Sequence, residues 1–178
     1  MITTILIVLA GLLVVFVVMA SQQPDDFRIV RTATISAPAA VVFAHVNDLH
    51  LWQEWSPWAK RDPAAQRTFE GPSAGTGAVF AWAGNRKIGA GRMTITASRP
   101  HDLVGFRLEF LKPFTATNTA EFTFQPEGSQ TLVTWSMAGK SNFLSKAFGL
   151  VMNMDNMIGR DFEKGLANLK ALAEAAAR

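Results

Sequence analysis

The chain has no cysteine and no tyrosine among its 178 residues. Without cysteine there is no disulfide, no thiol nucleophile and no thiolate-held zinc or iron–sulfur centre. Without tyrosine no phenol can act as acid, base or oxyanion donor. Histidine is scarce as well, with only His45, His50 and His101. The first two miss the i, i+4 spacing that sets two ligands on one helical face, and His101 falls in an expected turn. Neither a metal nor a cofactor is expected. Charge is thin, at 17% of residues, and nearly balanced at a net +3. Nine of the Lys and Arg residues precede position 101 and eight follow it, with no run. A nucleic-acid surface gathers its bases on one face, so none is expected here.

Apolar residues are abundant instead. Ile2 to Ala20 is uncharged and broken only by Thr3, Thr4 and Gly11. As a helix it would extend about 28 Å, close to the hydrocarbon thickness of a bilayer. It is apolar all round, which argues against a core helix with one polar face. Val18-Met19-Ala20 ends in a small residue, so export after signal cleavage stands as an alternative. The start Met1-Ile2-Thr3-Thr4 carries no Lys or Arg, and the run exceeds a usual signal core; both favour a single-pass anchor. Arg28 and Arg31 follow the span and would favour a cytoplasmic domain, but two charges leave the side of the membrane open. The expected organisation is an anchor over 1–20, a polar linker over 21–26 and one folded domain over 27–178.

Within that domain, Phe27–Ile35 is β-branched and reads as a strand. Ser36-Ala37-Pro38 offers a helix start, with Val41, Val42, Phe43 and Val46 as its apolar face. Leu49–Pro63 is rich in Trp and Pro and reads as irregular. Arg67–Glu70, Ala78–Ala83, Gly89–Ser98, Leu103–Leu111, Ala116–Phe124 and Thr131–Met137 read as strands. The turns between the later ones are Gly84-Asn85, Arg99–Asp102 and Pro126–Ser129. Ser141 can cap a helix that runs from Asn142 to the C-terminus, with Leu144, Phe148, Val151, Ile158, Phe162, Leu166 and Leu169 along one side. Sequential strands joined by turns imply an antiparallel sheet. The expected fold is α+β: about seven curved antiparallel strands wrapped on a long C-terminal helix, with a cavity between them.

Several segments carry a resemblance. They are Ala33–Pro38 with Val42-Phe43, the run Trp52–Trp58 (WQEWSPW), Lys112-Pro113-Phe114, Asn118–Phe122 and Asp161–Leu166. Together they resemble the SRPBCC superfamily, the START-like or Bet v 1-like helix-grip fold, over about residues 27–172. The chain is most similar to membrane-anchored bacterial members labelled polyketide cyclase/dehydrase. The resemblance implies the helix-grip fold and spans lipid carriers, quinone binders, cyclases, hydrolases and chaperone activators. The absence of tyrosine departs from cyclases that use a phenol.

Each candidate residue has a structural role open to it beside a functional one. Gly71-Pro72-Ser73-Ala74-Gly75 matches the nucleophile-elbow pattern, but a strand follows it where that chemistry needs a helix. Trp52, Trp55 and Trp58 recur every third residue, either lining a cavity mouth or pinning an irregular segment to the core. Met152, Met154 and Met157 form a soft cluster midway along the last helix. Asp155 falls on the apolar stripe between Val151 and Ile158, where a buried carboxylate needs a partner. Asn118 shares an inward strand face with Ala116 and Ala120. The expected ligand-binding set is Trp55, Phe80, Trp82, Met93, Leu108, Asn118, Met154, Asp155 and Ile158, with no catalytic residue assigned. The expected function is a membrane-tethered domain holding a hydrophobic small molecule: a lipid, a quinone or a polyketide-like compound. The alternatives are a cyclase- or dehydratase-like enzyme, with Asp155 and Asn118 as its polar groups, and a protein-interaction module resembling the chaperone activators. Deleting residues 1–20 should release a soluble domain with a folded circular-dichroism spectrum; an insoluble or unfolded product would contradict the anchor reading.

Overall fold

The computed structural model describes residues 1–151 and 153–178; Met152 lies outside it, as do the side chains of Leu144 and Val151. The chain begins with helix α1 (Ile2–Ser21), followed by β1 (Asp26–Ile35), α2 (Ala39–Asn47) and the single turn α3 (Trp52–Trp55). Six strands follow: β2 (Gln66–Glu70), β3 (Val79–Ala83), β4 (Ala90–Arg99), β5 (Leu103–Lys112), β6 (Ala116–Glu127) and β7 (Gln130–Lys140). Two helices, α4 (Phe143–Val151) and α5 (Met154–Ala176), close the chain.

The strands form one antiparallel sheet in the order β1-β7-β6-β5-β4-β3-β2. Hairpins therefore build β2 to β7 in sequence, and the first strand closes on the last, from Asp26 opposite Lys140 to Ile35 opposite Thr131. Register shifts at Ala90/Gly91 and at Ile95/Ala97 interrupt the β4–β5 ladder. Such irregularities bend a strand and raise its twist, which helps the sheet to curl. Alternation then sorts the side chains. Ile29, Met93, Ile95, Phe106, Ala120, Phe122, Val133, Trp135 and Met137 are all buried in one core on the concave side.

The two ends of the sheet differ. At one end lie Asp26, Ala83, Ala90, Lys112, Ala116 and Lys140. Helix α1, the anchor expected from the sequence, joins β1 here, so this is called the anchor end. The far end is plugged by α2, whose Val42, Phe43 and Val46 are buried. Phe43 sets its ring edge against Phe124, with centroids 5.7 Å apart. Helix α3 extends the plug: the Trp52 indole N–H donates to the Val46 carbonyl at 2.7 Å, and that of Trp55 to the His45 carbonyl at 3.1 Å. These bonds satisfy the polar edges of two buried rings.

Helix α5 lies across the concave face and is tied to the rest at several points. The Phe162 ring stacks on Trp135 with centroids 3.9 Å apart and planes 4° from parallel. A Cβ on Gly165 would come within 2.7 Å of the same indole, so only glycine lets the helix sit this close. Further along, Lys170 Nζ donates to the Thr34 carbonyl at 2.8 Å, and the Ser36 N–H donates to Glu174 at 2.8 Å.

The C-terminal helix departs from the single rod expected from the sequence. It is broken into α4 and α5, and Asn153 caps the second by accepting the Asn156 N–H at 2.9 Å. The first is capped by Asn142, which accepts the Ser145 N–H at 2.8 Å, rather than by Ser141. Asparagine side chains compete for backbone N–H groups, so each offers a helix start where periodicity alone shows continuity.

The stack gives a direct test. Phe162→Ala should cost about 3–5 kcal/mol in urea unfolding, as large core truncations do. In Gly165→Ala, helix propensity gains about 1 kcal/mol, but overpacking against the wedged indole costs about 1–3 kcal/mol. Net destabilisation is expected, and a more stable variant would show that the helix can move off Trp135.

Candidate functional site: an apolar cavity at the anchor end

Because α2 and α3 fill only the far end, the anchor end of the concave face is left open beside α5. A cavity of about 570 Å³ lies there. Its sheet wall comes from successive inward rows: Trp82 and Phe110 nearest the end, then Phe80, Met93 and Leu108, then Ala120 and Met137. Met154, Met157, Ile158 and Phe162 of α5 form the opposite wall, and Trp52, Trp58 and Trp135 form the floor towards the plug. The Trp82 indole N–H donates to the Ile88 carbonyl at 3.1 Å, which holds that ring in place. Gly91 leaves room for it, since a Cβ there would lie 2.5 Å from the indole.

Of the side chains expected to bind ligand, Phe80, Trp82, Met93, Leu108, Met154 and Ile158 line this one cavity. Trp55, Asn118 and Asp155 do not. Trp55 is wholly buried in the floor, packed on Phe122 and Trp135. Asn118 is buried opposite Gly139, with its Nδ2 3.9 Å from Met137 Sδ, and its Oδ1 has no partner among the described residues. Asp155 requires a correction. It is not among apolar side chains facing the sheet: its side chain is 55% exposed in the first turn of α5. It keeps the helical phase of Ile158 and Phe162, but in the first turn of α5 it falls at the sheet edge beside β1, and a carboxylate is favoured beside the first-turn N–H groups. Of the methionine cluster, Met154 and Met157 line the cavity, and Met152 lies outside the described residues.

Asp155 instead meets Arg31, whose guanidinium donates to it at 3.0 and 3.2 Å and to Glu163 at 2.7 Å. Arg31 stands on the inward face of β1, in phase with Ile29 and Ala33, so it clamps the start of α5 to the sheet edge. Its hydrogen bonds hold the Asp155 carboxyl below its ordinary pKa of 3.8, against a smaller opposing effect of burial. The same pairing raises the affinity of Arg31 for its proton. The sequence signal for this clamp was a charged residue at an inward position of an apolar strand.

Polar groups reach the cavity mainly around its mouth. Arg61 is held by Asp161. Arg67 donates to the carbonyls of Ala59 and Asp62 at 2.9 and 3.1 Å. Arg86, Lys87 and Lys112 have no ion-pair partner among the described residues. Asp161 is the one carboxylate residue in the lining. Apart from Asp161, which lies in α5, these residues and Trp58 lie in loops or at strand ends, where neither helical nor strand periodicity could point inward.

The sequence pattern of the family described as "Polyketide cyclase / dehydrase and lipid transport" matches residues 26–174. The chain belongs to that family. With this membership comes the SRPBCC helix-grip fold, which the antiparallel sheet gripping α5 displays. No curated protein matches the chain. Among solved structures, a structural-genomics protein from Chromobacterium violaceum is 14% identical with a TM-score of 0.59, covering 85% of this chain and 99% of its own. The major latex-like protein 151 of Panax ginseng is 15% identical with a TM-score of 0.60, covering 84% and 99%. The di-domain ARO/CYC BexL from the BE-7585A biosynthetic pathway is 18% identical with a TM-score of 0.60, covering 89% of this chain and 53% of that one. At these identities the likeness to each structure concerns the fold.

The Arg31 clamp predicts a pH dependence. The pKa of Asp155 is depressed in the fold, so its contribution is complete above the ordinary carboxylate value and fades as pH falls through the depressed one. Asp155→Asn lacks that contribution at every pH. Its melting temperature should fall slightly below that of the parent at neutral pH, far less than for Phe162→Ala, because the Asp155 side chain is more than half exposed and solvent screens the pair. The difference should close in acid. A difference that widens as pH falls would contradict this role.

Proposed function

We propose that the protein is a membrane-tethered binding domain for a hydrophobic small molecule, such as a lipid, a quinone or a polyketide-like compound, held between the sheet and α5. The observation that carries this reading is the cavity itself. Its volume of about 570 Å³ suits a small-molecule ligand, since such pockets run to roughly 300–1,000 Å³. Walls of Phe80, Trp82, Met93, Leu108 and Ile158 offer water few hydrogen-bond partners, so an apolar guest is favoured over water. Met154 and Met157 add unbranched, polarisable surface that adapts to varied shapes.

Family membership supports the ligand class, because the family's description names both cyclase/dehydrase activity and lipid transport. Tethering draws on α1, a 20-residue helix of mean hydropathy 3.0 that is long and apolar enough to cross a membrane. It is exposed along nearly its whole length, with only Ala20 buried. A signal sequence passes the same test, and the intact N-terminal mass of the mature protein separates the two. The domain would then span residues 27–178, with 21–26 as its tether. An enzymatic reading has Asp161 as its one carboxylate in the cavity lining, and that residue is engaged by Arg61.

Brominated oleic acid offered to the chain from residue 21 onward tests the binding reading. Bromines seated in the cavity would quench the fluorescence of Trp58 and Trp82, which line it. Leu108→Phe with Ile158→Phe narrows the void, and its apparent affinity should be on the order of tenfold weaker, a loss of about 1.4 kcal/mol. The melting temperature should be little changed. Equal quenching in both proteins would place the ligand elsewhere.

A further inference from the structure

The anchor end of the domain carries more than the cavity mouth. The β3–β4 loop brings Arg86 and Lys87 to this end, and the last residue of β5 is Lys112. Gly89 draws the two segments together: at φ +63°, it approaches so closely that a Cβ would lie 2.1 Å from the Lys112 carbonyl oxygen. All three cations line the cavity mouth. The acidic residues nearest the tether are already engaged, Asp25 by Lys146 and Asp26 by Lys140. The mouth is therefore a local excess of positive charge.

Large apolar side chains are exposed at the same end. Leu111 and Phe114 flank the Lys112 turn at 59% and 58% exposure. Phe143 and Phe148 are about half exposed on α4, which packs against α1. Met157 is 46% exposed at the mouth. A soluble surface seldom gathers such residues beside cations, whereas an interfacial one places apolar groups among headgroups and cations against anionic lipid. The tether fixes the distance. Only Gln22–Asp25 separate α1 from β1, a reach of roughly 14 Å when fully extended. Once α1 spans a bilayer, this end stays within roughly 14 Å of the membrane surface, and charge decides whether it rests on it.

We propose that the anchor end is a docking face for an anionic lipid bilayer. The cations Arg86, Lys87 and Lys112 rest on its headgroups, and Leu111 and Phe114 enter the interface. The cavity mouth then opens into the leaflet beside the anchor and exchanges its apolar ligand there. This inference rests on the anchor and cavity readings above, and it adds where the ligand comes from and which lipid charge recruits the domain.

The absence of native cysteine makes the test direct. Thr115→Cys labels the rim, and Ser129→Cys labels the β6–β7 turn at the far end, about 40 Å away along a 12-residue strand. Each full-length variant carries one fluorophore and is reconstituted into vesicles that contain a nitroxide-bearing phosphatidylcholine. One set is phosphatidylcholine alone, and the other is phosphatidylcholine with phosphatidylglycerol in equal parts. The expected result is strong quenching of the Thr115 label in the anionic vesicles, with the Ser129 label unquenched. Adding Arg86→Ser, Lys87→Ser and Lys112→Ser should reduce the Thr115 quenching to the neutral-vesicle level while the melting temperature holds. Equal quenching of the two labels overturns the docking face, as does a Thr115 label shielded from aqueous iodide but not quenched by lipid, which would mean that protein or a second copy covers the rim. A chain that does not float with the vesicles overturns docking and anchoring together. Native mass spectrometry of the same preparations after exposure to oleic acid reads the cavity independently. Retained oleate with an unquenched rim removes docking alone, and a quenched rim without oleate removes the ligand reading alone.

Discussion

Trp135 and Phe162 lie face to face with ring centroids 3.9 Å apart, and that contact joins the sheet to the long helix laid across it. Around the pair gather Phe122, stacked on Trp135 at 4.7 Å, and Trp52, Trp55 and Trp58, edge-on to it at 5.8 to 6.2 Å. A curved seven-stranded sheet encloses more space than one helix face can fill. The aromatic cluster and the α2–α3 plug fill the far half with buried side chains. Among the described residues the near half has no such plug, so it stays open behind Phe80, Met93 and Leu108. The cavity is thus a consequence of where the filling stops, and the stack sets the height of the helix above the sheet on which its width depends.

Much of this architecture was legible in the sequence because it rests on period-two alternation. Val104, Phe106, Leu108 and Phe110 on one strand, and Asn118, Ala120, Phe122 and Phe124 on the next, specify a face, and a one-residue slip would have turned them outward. Turn residues marked the hairpins, and one uncharged run marked α1. The break between α4 and α5 was hidden, because a cap is a local competition for backbone N–H groups that hardly disturbs apolar spacing. With it was hidden the place of Asp155, which falls in the first turn of α5 and meets Arg31 at the sheet edge instead of the apolar interior.

The cavity was legible only where regular elements line it. Phe80, Trp82, Met93, Leu108, Met154 and Ile158 follow from strand or helix phase. Trp58, Arg61, Arg67 and Ile88 sit in loops or at a strand end, and their direction is set by bonds such as that from Arg67 to the carbonyls of Ala59 and Asp62. Trp55, in a segment that reads as irregular, was expected to bind ligand, yet it packs under the floor and not into the open space. Arg31 shows the reverse, a charged side chain at an inward position whose partners lie more than a hundred residues away.

A cavity built by incomplete filling, apolar on its walls and charged only at its mouth, makes occupancy by an apolar molecule the central claim. Organic extraction of the full-length protein purified from its native cells, followed by mass spectrometry against a mock purification, tests it most directly. The account predicts an apolar molecule recovered in a ratio near one to one with the chain and sharply depleted from the Leu108→Phe/Ile158→Phe variant. Recovery of no such molecule, or of equal amounts from the parent and the narrowed cavity, would contradict it.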